Sequence, residues 1–204
     1  MTLEPNHIHD TGRIDAFSDG VFAIAITLLV IEIAVPEVHN GESLADGLRD
    51  SWPSYLGYIV SFITIGVMWI NHNHVFHDIA RADYTLKILN LLLLMSIAFV
   101  PFTTAVLAEY MREDEQQTAA VLAYGATFTV NAILFNTLWL YASRTPGMLE
   151  DVVSETRIRS RTRRYLAGPL LYGITMPLAF IEPWISIGIY SALVVFYLIP
   201  PPED

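Results

Sequence analysis

Residues 13–33 read RIDAFSDGVFAIAITLLVIEI, in which Arg13, Asp15, Ser18 and Asp19 directly precede an apolar run that carries a lone acid, Glu32, near its far end. About 20 apolar residues suffice for a helix to cross a bilayer core of roughly 30 Å, and this run has that length. A charge inside such a span costs about 2.5 to 3.5 kcal/mol on insertion scales, so the groups at its start require water, partners or a protein interior. The stretch predicts a membrane helix that begins with a polar collar.

The remainder of the chain extends this reading. Of 204 residues, 53% are hydrophobic and only 16% are charged, and the mean hydropathy is +0.45. That is the composition of an integral membrane protein rather than a soluble domain. Six spans are expected, at residues 14–35, 55–76, 86–107, 119–141, 165–181 and 184–199, so that residues 1–204 form a single all-α transmembrane domain. Pro36, Pro53, Pro146 and Pro200 to Pro202 punctuate the ends, where a missing N–H is tolerated. The first run lacks a small-residue cleavage pattern and is expected to remain in the mature protein. With no cysteine, disulfides, thiolate metal ligands and cysteine nucleophiles are excluded, and a net charge of -10 argues against a nucleic-acid partner.

An even number of spans places both termini on one side. That side holds Arg13, Arg81, Lys87, Arg144, Arg157, Arg159, Arg161, Arg163 and Arg164, nine of the 11 Lys and Arg, whereas only Arg49 and Arg112 lie opposite. The bias predicts cytoplasmic termini. The opposite loops are acidic, with Glu37, Glu42, Asp46, Asp50, Glu109, Glu113, Asp114 and Glu115; they suit either a cation-concentrating vestibule or ordinary solvated loops. The basic segment SETRIRSRTRRYL, residues 154–166, serves as an orientation signal or as an interfacial helix on anionic lipid.

A second polar cluster, MWINHNHVFHD at residues 68–78, falls at the same expected depth as the first and carries Trp69, Asn71, His72, Asn73, His74 and His77. Asp19 as acceptor, with His72 or the Trp69 indole N–H as donor, would fix span one against span two. His72 and His74 point to different helix faces and no glutamate completes a zinc motif, so no metal site is expected. Ser18 and Asp19 are adjacent and lie about 100° apart on a helix, which does not suit a hydrolytic triad, and no catalytic residue is assigned. Further along span one, Gly20, Ala23 and Thr27 form a small-residue stripe beside a second stripe of Ile24, Leu28 and Ile31. Spacing alone leaves two readings open, close helix packing or a pore wall whose apolar rings gate by dewetting.

Arg13, Phe17, Ser18 and Asp19, as RIDAFSD opening the first of six spans, resemble the R-x-x-x-F-S-D signature of the TMEM175 family of potassium-permeable channels. The LLVIEI close of span one, WINHNHVF in span two and Pro101-Phe102 in span three add to the resemblance, whereas spans four to six match only in hydropathy and order. The resemblance implies a homotetramer in a bacterial plasma membrane, with K+ as the permeant ion, no cofactor and no enzymatic activity. It places the first helix around the pore, without a TVGYG filter, and assigns the constrictions to Ile24, Leu28 and Ile31 and a pore hydroxyl to Thr27. Arg13, Phe17, Ser18, Asp19, Trp69 and His72 become a packing network behind that wall. The chain departs from the expected pattern at Asn73, where a second histidine would follow His72. Modest K+ over Na+ selectivity is expected. The rival readings are a proton channel or ion-coupled transporter using Asp19, Glu32 and the span-two histidines, and a non-conducting scaffold that binds membrane lipids.

Overall fold

The computed structural model describes residues 8–37 and 43–198. Glu42, Pro200 to Pro202 and the last residue of the expected sixth span lie outside the described residues. Among the described residues every regular element is helical, apart from one isolated antiparallel bridge between Ile79 and Leu149. The order is α1 (Ile8–Leu28), α2 (Leu44–Asp50), α3 (Trp52–His77), α4 (Tyr84–Ala98), α5 (Val100–Tyr110), α6 (Gln117–Arg144), α7 (Glu155–Thr175), a 3-10 turn (Met176–Phe180) and α8 (Pro183–Leu198). Three stretches are long and apolar enough to cross a membrane: α3, α4 with α5 taken together, and α6; the apolar part of α8, Pro183–Val195, is shorter.

The helix ends differ from the sequence expectation for identifiable reasons. α1 stops at Leu28 rather than running to Val35, because Val30, Ile31 and Ile33 are β-branched and Pro36 follows closely. The chain continues through tight turns in which Ile31 N–H donates to Leu28 O at 3.0 Å and Ile33 N–H to Val30 O at 3.3 Å. The third expected span is two helices that break at Phe99, since Pro101 cannot supply the next N–H to the ladder. α7 starts ten residues before the expected span, at Glu155, where the Ser154 hydroxyl accepts from Arg157 N–H at 3.2 Å. The basic segment is therefore the first turns of a helix, not a loop.

α6 occupies the centre of the bundle and touches α4, α5, α7, α8 and the 3-10 turn, while α1 lies against α3 and α4 on one side. Trp139, Leu138, Leu93, Ile97 and Val121 are fully buried there. Lipid is as apolar as leucine, so close packing and interhelical hydrogen bonds, rather than escape from water, hold such helices together. Gly57 shows the packing: a Cβ at that position would sit 3.3 Å from Thr104 Cγ2, so its absence brings α3 up to α5. One turn on, Ser61 Oγ lies 2.7 Å from Thr104 Oγ1 and 3.0 Å from Tyr124 Oη, joining α3, α5 and α6.

The end of the bundle where α3 finishes and α4 and α7 begin is closed by a polar clasp. Ala80 N–H donates to Met148 O and Glu150 N–H to Asp78 O, both at 2.9 Å, which ties the α3–α4 linker to the α6–α7 linker. The buried Asp78 carboxylate accepts from Arg161 and pairs with Arg157 at 3.4 Å. Arg161 also donates to His74 O at 3.3 Å and lies over the Trp139 ring, 5.8 Å from its centroid. Removing one partner of a buried ion pair costs about 3 to 5 kcal/mol, but Arg157 remains beside Asp78. Arg161→Ala is therefore expected to lower stability by about 2 kcal/mol, read as the thermal midpoint of the purified protein, with Arg157→Ala costing less.

Asp83 caps α4, its Oδ1 accepting from Leu86 N–H at 2.8 Å, while the Tyr141 hydroxyl donates to Oδ2 at 2.5 Å. The Tyr141 bond above all, and the backbone N–H groups after it, hold this carboxyl below its usual 3.8 against an opposing effect of burial. A depressed carboxylate contributes stability above the unfolded value and loses it as pH falls through the folded one. Tyr141→Phe should accordingly reduce the part of the drop in melting temperature between about pH 6 and about pH 3 that titration of Asp83 contributes. An unchanged drop would show that the Tyr141 contact does not bias the titration.

Candidate functional site

α1 has two faces of opposite character. Ser18, Phe22 and Ala25, with Leu29 just past the helix end, spaced four, three and four apart, are buried against the bundle. Gly20, Ala23 and Thr27 are exposed, as are Phe17 at 57%, Ile24 at 61% and Leu28 at 40%. Spacing of this kind separates a packed stripe from an unpacked one on the far side of the helix. The uncovered stripe is the one that carries the expected constriction residues. Ile31 is exposed as well, but it stands on the turn beyond the helix rather than two helical turns past Ile24.

The buried face is held by a chain of hydrogen bonds through three helices. Ser18 Oγ donates to Ile14 O at 2.8 Å, within α1. With its only hydrogen used, Ser18 Oγ accepts from Asn90 Nδ2 at 2.9 Å, and the Asn90 Oδ1 on the other side of the amide lies 2.8 Å from His72 Nε2. This order of donors places the imidazole N–H on Nε2. Ser18, Asn90 and His72 are all fully or nearly fully buried. His72 is sandwiched further by Phe76, stacked at 4.4 Å between centroids, and by Phe22 edge-on at 5.3 Å. At the flank of α1 the Trp69 indole N–H donates to Asp19 Oδ1 at 2.7 Å.

Ser18, Asp19, Trp69 and His72 thus come together, although in two separate contacts rather than one network. His72 bonds Asn90 and not Asp19. Arg13 and Phe17 stay outside, both exposed on the uncovered face. Asn90 is the residue that sequence reasoning missed. Its signal was available, because it is the lone amide in the apolar run KILNLLLLM, and a lone amide at membrane depth implies a partner. Glu32 is exposed beyond the end of α1, and His74 and His77 are exposed beside the Asp78 clasp, so these groups do not converge with Asp19. Among the described residues no three His, Cys, Asp or Glu side chains cluster as a metal site.

Thr27 Oγ1 donates back into its own helix, 2.9 Å from both Ala23 O and Ile24 O. Its hydrogen is therefore occupied, and the oxygen can present only lone pairs to whatever lies against the uncovered face.

An all-helical chain with helices long and apolar enough to cross a membrane, one helix of it clamped by buried polar groups and bare along an aliphatic stripe, belongs to the class of helical membrane proteins. The description "Endosomal/lysosomal potassium channel TMEM175" matches residues 13–101. A protein of Streptomyces collinus described as a potassium channel is 42% identical over 190 residues, covering 93% of this chain and 92% of its own. The crystal structure of a lysosomal potassium-selective channel TMEM175 homolog from Chamaesiphon minutus superposes with a TM-score of 0.84 at 42% identity, over 93% of this chain and 97% of that one. In Gallus gallus an endosomal/lysosomal proton channel TMEM175 is 35% identical over 117 residues, 53% of this chain and 23% of that protein. The chain belongs to the TMEM175 family.

Proposed function

We propose that this chain is the subunit of a K+-permeable channel of the bacterial plasma membrane, a homotetramer with four copies of α1 around the path and both termini cytoplasmic. The observation that carries the reading is the bare aliphatic stripe of α1, which in one subunit has nothing to pack against. Four such stripes facing an axis make apolar rings at Ile24 and Leu28 and a looser one at Ile31. Apolar rings do not coordinate ions, so they admit hydrated or partly hydrated cations and gate by dewetting. Thr27 lies between Ile24 and Leu28 along the chain, and its outward lone pairs would replace part of a cation's water. Ser18, Asn90, His72, Trp69 and Asp19 hold the wall in position and do not touch the ion. Modest preference for K+ over Na+ follows from a path with one hydroxyl layer and no carbonyl filter.

The name borne by the vertebrate relatives keeps proton conduction as the second reading. Reconstituted liposomes separate the two. The expected result is K+ flux exceeding Na+ flux, with proton movement only as the counter-current to K+. Proton flux that persists without K+ and is lost in Asp19→Asn would replace the proposal with a proton relay, and absence of any monovalent cation flux would remove the channel reading.

A further inference from the structure

The five arginines of α7 divide into two groups. Arg161 and Arg157 face Asp78, and Arg164 Nη2 donates to Tyr197 O of α8 at 3.3 Å. Those three serve the fold. Arg159 and Arg163 are exposed: Arg159 meets Glu155 at 3.2 Å one turn earlier, and Arg163 forms no ion pair among the described residues. Spacing continues this pair of cations into an apolar stripe. Arg159, Arg163, Leu166, Leu170 and Ile174 stand four, three, four and four residues apart, which puts them on one face of the helix, and all five are exposed. Tyr165, Gly168, Tyr172 and Thr175 form the buried face.

The depth of the stripe follows from the antiparallel packing of α7 on α6. Thr162 Oγ1 accepts from the Trp139 indole at 2.9 Å, Tyr165 O accepts from Asn136 Nδ2 at 2.7 Å, and the Tyr172 ring stacks on Phe128 with centroids 5.7 Å apart. At 1.5 Å per residue the 28 residues of α6 measure about 42 Å, so about four residues at each end stand beyond a membrane core of roughly 30 Å. Arg163 follows Thr162 and is therefore level with the turn around Trp139, at that boundary. Arg159 is a turn further out, whereas Leu170 and Ile174 lie beside the middle of α6. An arginine at the boundary extends its stem along apolar surface and carries its charge to the headgroups. We infer that the stripe is a binding site for an anionic phospholipid, its phosphate held by Arg163 and Arg159 and one acyl chain lying along Leu166, Leu170 and Ile174. A guanidinium forms paired hydrogen bonds with phosphate oxygens. Charge favours an anionic lipid over a zwitterionic one: Glu155, the stripe's one carboxylate, lies beyond Arg159 on the side away from the leucines, and the exposed Glu150 and Asp151 lie in the linker before α7. The stripe contains no residue of α1, so the inference is independent of the pore assignment.

The chain has no cysteine, so a fluorophore attached at Leu170→Cys is a single label on the stripe. The labelled protein is reconstituted in phosphatidylcholine bilayers holding a small fixed fraction of either phosphatidylglycerol or phosphatidylcholine with a nitroxide quencher midway along one acyl chain. The expected result is quenching by both, with a relative affinity about fivefold higher for phosphatidylglycerol, the effect of one cation at the headgroup level. Arg163→Gln should bring that ratio close to one, and Arg163→Lys should retain most of it. Arg144→Gln, which removes an exposed cation at the end of α6 and off the stripe, should leave it unchanged. An equal loss in Arg144→Gln would reduce the preference to diffuse surface charge. Equal quenching by the two lipids in the wild type would leave an ordinary lipid-facing surface, and quenching by neither would mean that another copy of the chain covers the stripe. Loss of the preference on adding glycerol phosphate would make it a site for soluble phosphate. Each of these four results would overturn the inference.

Discussion

Liposomes carrying Ile24→Asn are expected to leak Na+ about ten times faster than wild type, because an amide ring stays wet where an isoleucine ring excludes water. A tenfold change corresponds to lowering the barrier by about 1.4 kcal/mol, a small part of what a dry constriction imposes. The substitution suits the test because Ile24 lies on the far side of α1 from Ser18 and Phe22, so the clamp and the bundle remain intact. Ile24→Val, which keeps the ring apolar, should leave Na+ flux close to wild type. Leu28→Asn should act in the same direction. Ile31→Asn should act less, since a side chain on a turn defines a wider and softer ring. Flux unchanged by all three asparagine variants would take α1 out of the ion path.

The second large effect is expected at Asn90. Asn90→Leu leaves the His72 Nε2 donor without an acceptor and removes the donor to Ser18 Oγ, within a core closed to water. An unsatisfied buried group costs about 1 to 3 kcal/mol, although polar contacts between membrane helices average nearer 0.6, so a loss of about 2 kcal/mol is expected. It should appear as a lower thermal midpoint of the purified oligomer, with the K+ to Na+ flux ratio of the surviving protein unchanged. Trp69→Phe, which removes a donor at the partly exposed flank of α1, should cost well under half as much. A well-assembled Asn90→Leu protein with altered selectivity would instead place Asn90 on the ion path.

Hydropathy made the helical class legible, and the reason lies in the chemistry of the solvent: in lipid, a run such as residues 119–141 has few alternatives to a helix. It did not make helix ends legible. The basic start of α7 is hydrophilic, and Arg161 turns inward, with the half-exposed Arg157 beside it, because Asp78, about 80 residues earlier, is buried where α3 ends. The break at Phe99 was signalled by Pro101, yet a single proline in an apolar run reads equally as a kink or as a stop. At the candidate site, the polar collar at Ser18 and Asp19 and the second cluster at Trp69 and His72 stood out because they interrupt apolar sequence. Asn90 stood out less, as one amide among leucines, and its place between Ser18 and His72 depends on tertiary packing. The alternation of α1 between Ser18, Phe22, Ala25 and Leu29 on one side and Ile24 and Leu28 on the other was present in the spacing. Which side faces the bundle was not.

Ser18 and Asp19, at the middle of α1, carry hydrogen bonds that tie it to its neighbours, while beyond Leu28 its backbone loosens into turns. Mechanically it is a beam gripped at its middle and again at Leu29, which is only 1% exposed. Ile24 and Leu28 lie between the two grips and Ile31 beyond them, so on the proposed pore the ring at Ile31 is the freest to change its bore.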